Sequence, residues 1–212
     1  MNFQITKYNK KYFNQSVELM SDTWNFNKLF VGLKKKNMMN ELYFKFSLLD
    51  ANYNQVIIDE DNNVCGFIFG KIDKKPHSKL KIMLNSFLPI LKVLFNLVIG
   101  NLGNRKKAIN IFKQFINIEK DLTANKNKND AYVNLFFVGS SLRGLGYGKK
   151  LMSNYTNAAK RLDCNRLYLY TDKGCNYGYY DHNGFKRIIE ISSPVLEGYG
   201  EEPNGFAYIK QI

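Results

Sequence analysis

Cysteine is scarce in this sequence. Cys65, Cys164 and Cys175 are an odd number, and no two of them stand in a CxxC or zinc-ligand spacing. A disulfide framework and a structural zinc module are thereby excluded, no metal site is expected, and a reduced, cytoplasmic protein with free thiols is the expectation. The N-terminal stretch MNFQITKYNKKYF lacks the apolar core segment of a secretory signal. A clean membrane span is missing too: the longest apolar run, 80–102, is interrupted by Asn85, Pro89, Lys92 and Asn96. Two phosphate-binding loops are also absent. A P-loop needs Gly-x4-Gly-Lys followed by Ser or Thr, and a dinucleotide fingerprint needs a third glycine three places after the second. Gly144, Gly146 and Gly148 satisfy neither spacing.

What the chain has in excess is positive charge, +13 over 212 residues. Residues 71–128 hold 13 Lys or Arg against the acids Asp73, Glu119 and Asp121. A local basic surface attracts anions in general and names no partner. Without a helix-turn-helix or zinc pattern, nucleic-acid binding is not expected as the main role. Joint enrichment in Lys, Asn, Ile, Tyr and Phe is also the profile of an A+T-biased coding sequence, which lowers the weight of the lysine count.

The hydrophobic pattern gives a mixed order of elements. Residues 2–8 alternate as a strand, 9–24 carry Phe13, Val17, Met20 and Trp24 at helical spacing, and 38–49 form a second helix. Residues 55–59 and 64–72 are strands joined by a turn rich in Asp and Asn, which is a hairpin signal. Gly66 and Gly70 alternate on the second strand and leave room for close packing on that face. Residues 74–129 are too long for a connection and carry helices of their own. The run 80–102 reads as an amphipathic helix, kinked near Pro89, whose apolar side packs on its own domain. A substrate lid or partner surface, and membrane-surface contact through 80–102, are the lesser alternatives. A further helix at 108–122 and a polar linker at 123–130 close this segment. After residue 131, strands at 132–138, 166–171, 185–191 and 206–212 alternate with a helix from 147 and a short one at 176–183. The class is α/β, one domain over 1–212, with a mixed, mostly antiparallel sheet flanked by helices and a helical insertion at about 74–129.

The stretch AYVNLFFVGSSLRGLGYGKK, from Ala131, is the most informative. An apolar strand stops, turns through glycines and opens directly into a helix. At such a junction backbone N–H groups and the helix dipole converge on an anion. Arg143-x-x-Gly146-x-Gly148 at this junction resembles the acyl-CoA-binding motif of the GNAT N-acetyltransferase superfamily. A second segment agrees: Tyr180 lies four residues before the Gly184-Phe185 pair that opens the next strand. The resemblance is clear over 131–188; the insertion departs from it.

The resemblance implies an enzyme that moves an acetyl group from acetyl-CoA to a primary amine of a small molecule or peptide. The implied cofactor-binding residues are Phe137, Val138, Arg143, Gly144, Leu145, Gly146, Tyr147, Gly148, Lys149 and Asn176. Asn176 either contacts the pantetheine arm or caps its helix. Phe136 and Phe137 alternate, one toward the cofactor and one toward the core. Tyr180 is the implied proton donor to the departing thiolate. A base is not legible: Asn134 holds the polar position of the motif strand, and Asp130, Asp172, Glu197, Glu201 and Glu202 remain candidates. If the basic insertion stands near the site, an acidic or phosphorylated amine is favoured. A non-catalytic acyl-CoA-binding regulatory module is the alternative from another class.

Overall fold

The computed structural model describes residues 2–21, 23, 24, 26, 29, 30, 32–34, 37–74 and 79–212, apart from the side chains of 79–85. Lys35, Lys36 and the apolar side chains at the start of the 80–102 run lie outside the described residues. The order is β1 (Gln4–Lys7), a 3-10 turn (Lys10–Tyr12), α1 (Phe13–Ser21), α2 (Met38–Asp50), β2 (Tyr53–Ile58) and β3 (Val64–Ile72). The insertion follows as α3 (Lys79–Val98) and α4 (Arg105–Leu122). Then come β4 (Asp130–Val138), α5 (Tyr147–Lys160), β5 (Arg166–Asp172), α6 (Gly178–His182), β6 (Lys186–Ile191) and β7 (Gly205–Gln211). The strands form one sheet in the order β1-β2-β3-β4-β5-β7-β6. Only β4 and β5 run parallel, joined by the α5 crossover. The mixed, mostly antiparallel α/β class is the one the sequence indicated.

Strand alternation sorts the core into layers. On β3, Ile68 and Ile72 join Leu151, Met152 and Tyr155 of α5 on one face. Phe67 and Phe69 join Val17, Met20 and Phe44 of α1 and α2 on the other. Gly70 is required because a Cβ there would stand 2.4 Å from Cζ of Tyr155. The Tyr155 hydroxyl reaches across to within 2.8 Å of Tyr132 O and 3.0 Å of Lys71 O. A single side chain thus ties α5 to both β3 and β4.

Two irregularities make an opening in this sheet. Phe69 pairs with Leu135 and Gly70 with Val133, so Asn134 has no partner residue and is a β-bulge on β4. Beyond it the faces exchange. Val133 packs toward α5, but Leu135 and Phe137 turn toward α1 and α2, while Phe136 and Val138 turn toward α5. On the other side of β4, pairing with β5 runs only from Asp130↔Arg166 to Val133↔Leu169. Both strands continue past that point without each other. A clamp holds the paired end: Arg166 Nε donates to Asp130 Oδ1 at 2.8 Å and Nη2 to Oδ2 at 2.7 Å, with Asp130 2% exposed.

The insertion differs from its sequence reading. Helix α3 continues through Pro89, but it presents to solvent the side expected to pack. Phe87, Leu88, Leu94, Phe95 and Val98 are all at least half exposed. The face toward the domain carries Val93 and Leu97 together with buried Asn96, whose Oδ1 accepts from Asn101 Nδ2 at 2.8 Å. Helix α4 behaves as an amphipathic helix should: Ile118 and Leu122 are buried against Tyr132, Tyr168 and Ala207.

Candidate active site

Where β4 and β5 part, a groove of about 1420 Å³ passes through the sheet. Ligand sites in open α/β sheets lie beyond the carboxyl ends of parallel strands, where neighbouring connections diverge. This is that place: beyond Val133 and Leu169, the backbone edges of both strands are free for something other than each other.

The first wall is the glycine turn. After β4, Ser140–Leu142 forms one 3-10 turn with Leu142 buried as its anchor. Gly144 and Gly146 then take left-handed φ of +78° and +76°, which side chains with a Cβ rarely adopt. Apart from Gly146 itself and its two chain neighbours, no described atom lies within 4 Å of where a Cβ on Gly146 would stand, so the space above the turn is open. Gly148 has a different reason: its Cβ would press on Val138 Cγ2 at 3.1 Å. It brings α5 close to β4.

Gly146 is the N-cap of α5 and supplies no side-chain hydrogen bond. Lys150 N–H donates to Gly146 O at 3.0 Å, which leaves the preceding amides of the first turn without an intrahelical acceptor. Free amides, a positive helix end and the exposed Arg143 and Lys149 converge at this turn. The groove takes in Phe137, Val138, Arg143, Gly144, Gly146, Gly148, Lys149, Asn176 and Tyr180. Leu145 and Tyr147 do not line it. The Leu145 side chain is 57% exposed, and the Tyr147 hydroxyl donates to Phe3 O at 3.1 Å. Asn176 does not cap α6; Tyr177 holds that position without a side-chain bond.

Tyr180 owes its position to local hydrogen bonding. Its carbonyl accepts from Asn183 N and Phe185 N, both at 3.1 Å, as the chain turns through Gly184 at φ +75°. This turn is the physical content of the Tyr-x3-Gly-Phe spacing. The ring packs on Tyr179, Phe185 and Tyr208 at 5.4–5.5 Å between centroids. Burial, with smaller contributions from Cys175, Tyr179 and Tyr208, pushes the Tyr180 pKa well above the ordinary 10.0. The hydroxyl is therefore protonated throughout the neutral range. Burial and neighbouring Asp172 push the Cys175 thiol up to about 12, so it is no thiolate nucleophile.

The acidic residues separate clearly. Asp172 and Glu197 line the groove; Asp130, Glu201 and Glu202 do not. Asp130 is held by Arg166, and Glu202 accepts from Lys173 Nζ at 2.9 Å. The Asp172 pKa is raised chiefly by burial, with Glu197 adding to the rise, against lowering by hydrogen bonds from Gly174 and Cys175. Two further carboxylates, Asp50 of α2 and Glu119 of α4, and the tyrosines Tyr43, Tyr132 and Tyr170 also line it. The Tyr170 hydroxyl interacts with those of Tyr43 and Tyr132, and burial lifts its pKa to about 12. None of these was singled out as a site residue in the sequence, because they come from four separate elements, α2, α4, β4 and β5. Asn134 was, as a lone polar residue in an apolar strand; that was the one available signal for the bulge.

Among the described residues no group of three His, Cys, Asp or Glu is placed to hold a metal ion. No helix among them is long and apolar enough to cross a membrane.

Residues 108–185 match the model of the acetyltransferase (GNAT) family. No curated protein matches the sequence. Among solved structures, an acetyltransferase of the GNAT family from Staphylococcus aureus Mu50 is 15% identical over 99% of this chain and 99% of that one, with a TM-score of 0.54. The ribosomal-protein-S18-alanine N-acetyltransferase from Escherichia coli is 7% identical over 100% and 94%, with a TM-score of 0.53. A chain of the NatC complex bound to Gag peptide and CoA is 16% identical over 100% and 99%, with a TM-score of 0.51. The fold is that of the GNAT acetyltransferases, and the family match falls on the glycine turn, α5 and the Tyr180 segment. Residues 108–185 thus match a GNAT acetyltransferase domain, and the class this match indicates is acyltransferase. That family implies acetyl transfer from acetyl-CoA.

Proposed function

We propose that this protein is an N-acetyltransferase that carries an acetyl group from acetyl-CoA to a primary amine of a small molecule or peptide by direct attack. The observation that carries this reading is the uncapped start of α5, open above Gly146, set beside the split between β4 and β5. The amides of Gly144 and of 146–149 would hold the pyrophosphate, with Arg143 and Lys149 adding charge, while the Leu145 N–H donates to Leu142 O. The free edge of β4 at Phe137 and Val138 would bond the amide groups of the pantetheine arm, with Asn176 on the opposite bank. Bound acetyl-CoA supplies an activated thioester carbonyl.

The protein's own residues then move protons. The amine must be neutral to attack, and Asp172, a groove-lining carboxylate with a raised pKa, would take its proton. A C–N bond forms as the C–S bond breaks, and the acylated nitrogen gives up its surplus proton to solvent. Tyr180, protonated at neutral pH, donates to the departing sulfur and is reprotonated from solvent. The three free cysteines support a reduced, cytoplasmic setting for this chemistry.

Calorimetry with acetyl-CoA tests the donor assignment. Gly146→Glu places a carboxylate and a Cβ at a left-handed position beside the anion cradle. It should weaken binding at least about 100-fold, equivalent to about 2.7 kcal/mol. Unchanged binding would remove the glycine turn from the reading. Binding without thiol release for any amine would instead point to the non-catalytic acyl-CoA module.

A further inference from the structure

Helix α3 turns an apolar stripe to solvent. Phe87, Leu88, Leu91, Leu94, Phe95 and Val98 recur three and four residues apart, so they share one face. At 1.5 Å of rise per residue the stripe is about 16 Å long. Leu88 is 73% exposed and Val98 63%. The opposite side of the helix is packed on the domain, where Val93 and Leu97 join Met39 and Leu42 of α2 and Ala108 and Ile111 of α4. Single exposed apolar residues are ordinary on a folded surface, but a contiguous row of six marks an interaction site.

Charge of one sign frames this stripe. Residues 74–118 contain nine Lys or Arg and no Asp or Glu. Lys92 follows Leu88 by four residues and precedes Phe95 by three, which sets it beside the stripe. At the end of the helix the Arg105 guanidinium donates to Val98 O. Lys92, Arg105, Lys106, Lys107 and Lys113 are all exposed, and none of them lines the groove. Among the described residues, none of the five is paired with a carboxylate. Their charge therefore faces outward, to a partner beyond the chain.

The two features together decide between three kinds of cover. A second copy paired isologously would set one basic insertion against another, like sign against like. A partner groove of the kind that wraps an amphipathic helix needs that helix free, and α3 is held along its inner side. A flat anionic surface meets both features: it takes an apolar stripe into the headgroup boundary and attracts the lysines beside it. We propose that α3 docks this protein onto the surface of an anionic phospholipid bilayer. The helix lies in the plane of the interface, since no described helix is long and apolar enough to cross a membrane. Ser86 and Val93, on its inner side, line the groove. Docking thus brings that wall of the groove within about one helix diameter, roughly 10–12 Å, of the lipid. The proposal does not rest on the acetyl-transfer reading.

The test sediments the full chain with vesicles of phosphatidylcholine carrying about 30% phosphatidylglycerol, and with vesicles of phosphatidylcholine alone. Partition onto the anionic vesicles should be at least about tenfold stronger, and should weaken as salt rises from about 0.1 M to about 0.5 M. The double variant Leu88→Gln, Phe95→Gln should lose at least about tenfold in partition. Both side chains stand outside the core clusters, so its melting temperature should match the parent's. Lys92→Gln should lose about fivefold, the effect of one basic residue near an anionic surface. Tyr199→Gln, which removes an exposed aromatic from the 192–204 loop, should change nothing. No partition onto anionic vesicles, equal partition onto neutral ones, or a folded double variant that partitions like the parent overturns the docking. A parent dimer in light scattering that the double variant splits also overturns it, and gives the stripe to a second copy.

Discussion

The two ends of the groove are built on different principles. On the proposed reading the donor end is a continuous piece of chain, 137–149, that would work through backbone: free amides, left-handed glycines and a helix terminus. The acceptor end is gathered from α2, α4, β5 and the 192–204 loop, and works through side chains. Backbone chemistry depends on the path of the chain, so it tolerates wide change in surface composition. Side-chain chemistry depends on which residues happen to converge, so it can change one residue at a time. That contrast explains how one fold can keep its donor while its acceptors vary, and why the ends carry opposite charge in the same molecule.

Tyr180 stands between the two ends, and its loss gives the largest expected effect. Tyr180→Phe should lower turnover by about 10²- to 10⁴-fold, the range of a positioned proton donor, with acetyl-CoA affinity measured by calorimetry unaltered. Equal turnover would take Tyr180 out of the chemistry.

The next largest effect separates the closed end of the strand pair from the open one. Arg166→Leu leaves the Asp130 carboxyl group 2% exposed and without its bidentate partner. A loss of about 3 kcal/mol in denaturant unfolding is expected. A loss under about 0.5 kcal/mol would show that the clamp does not hold β4 to β5.

Asp172→Asn gives the smallest effect on stability and the one with a pH signature. The folded pKa of Asp172 lies above the ordinary 3.8, so folding favours its protonated form. Its ionised form therefore subtracts stability above the folded pKa, and this penalty fades as the pH falls toward the unfolded value. The variant should melt higher than the parent at pH 7, with the difference shrinking toward pH 4, while its kcat falls. A melting difference independent of pH would mean that Asp172 is not held against its ionisation.

Much of this was legible in the chain. The donor turn announces itself because strand, glycines and helix are contiguous, and their periodicities change over a few residues. Tyr180 and Gly184-Phe185 were readable for the same reason, since one hydrogen-bonded turn fixes their spacing. Asp50 and Glu119 were not, because 69 positions separate them and no local pattern records that α2 and α4 face one groove. The outward apolar side of α3 was misjudged on sound grounds: a helix with polar residues on one face normally turns that face to water, but here Asn96 is engaged by Asn101 on the inside. The bulge was half legible. An asparagine in an apolar strand stood out, yet its composition fits a regular strand as well as an interrupted one.

Asn134 is one residue more than β3 has places for. Side chains on a strand alternate, so the surplus acts as a parity bit for everything after it. With it bulged out, Phe136 faces α5 and Phe137 faces α1 and α2; laid into regular alternation instead, it would make the two trade faces. With one codon fewer both would stay as they are, β4 would regain an unbroken ladder with β3, and the crevice would lose its cause. Nothing hydrophobic need change for that to happen. The opening is written into the chain as an odd count, and a census of residue types would not detect its loss.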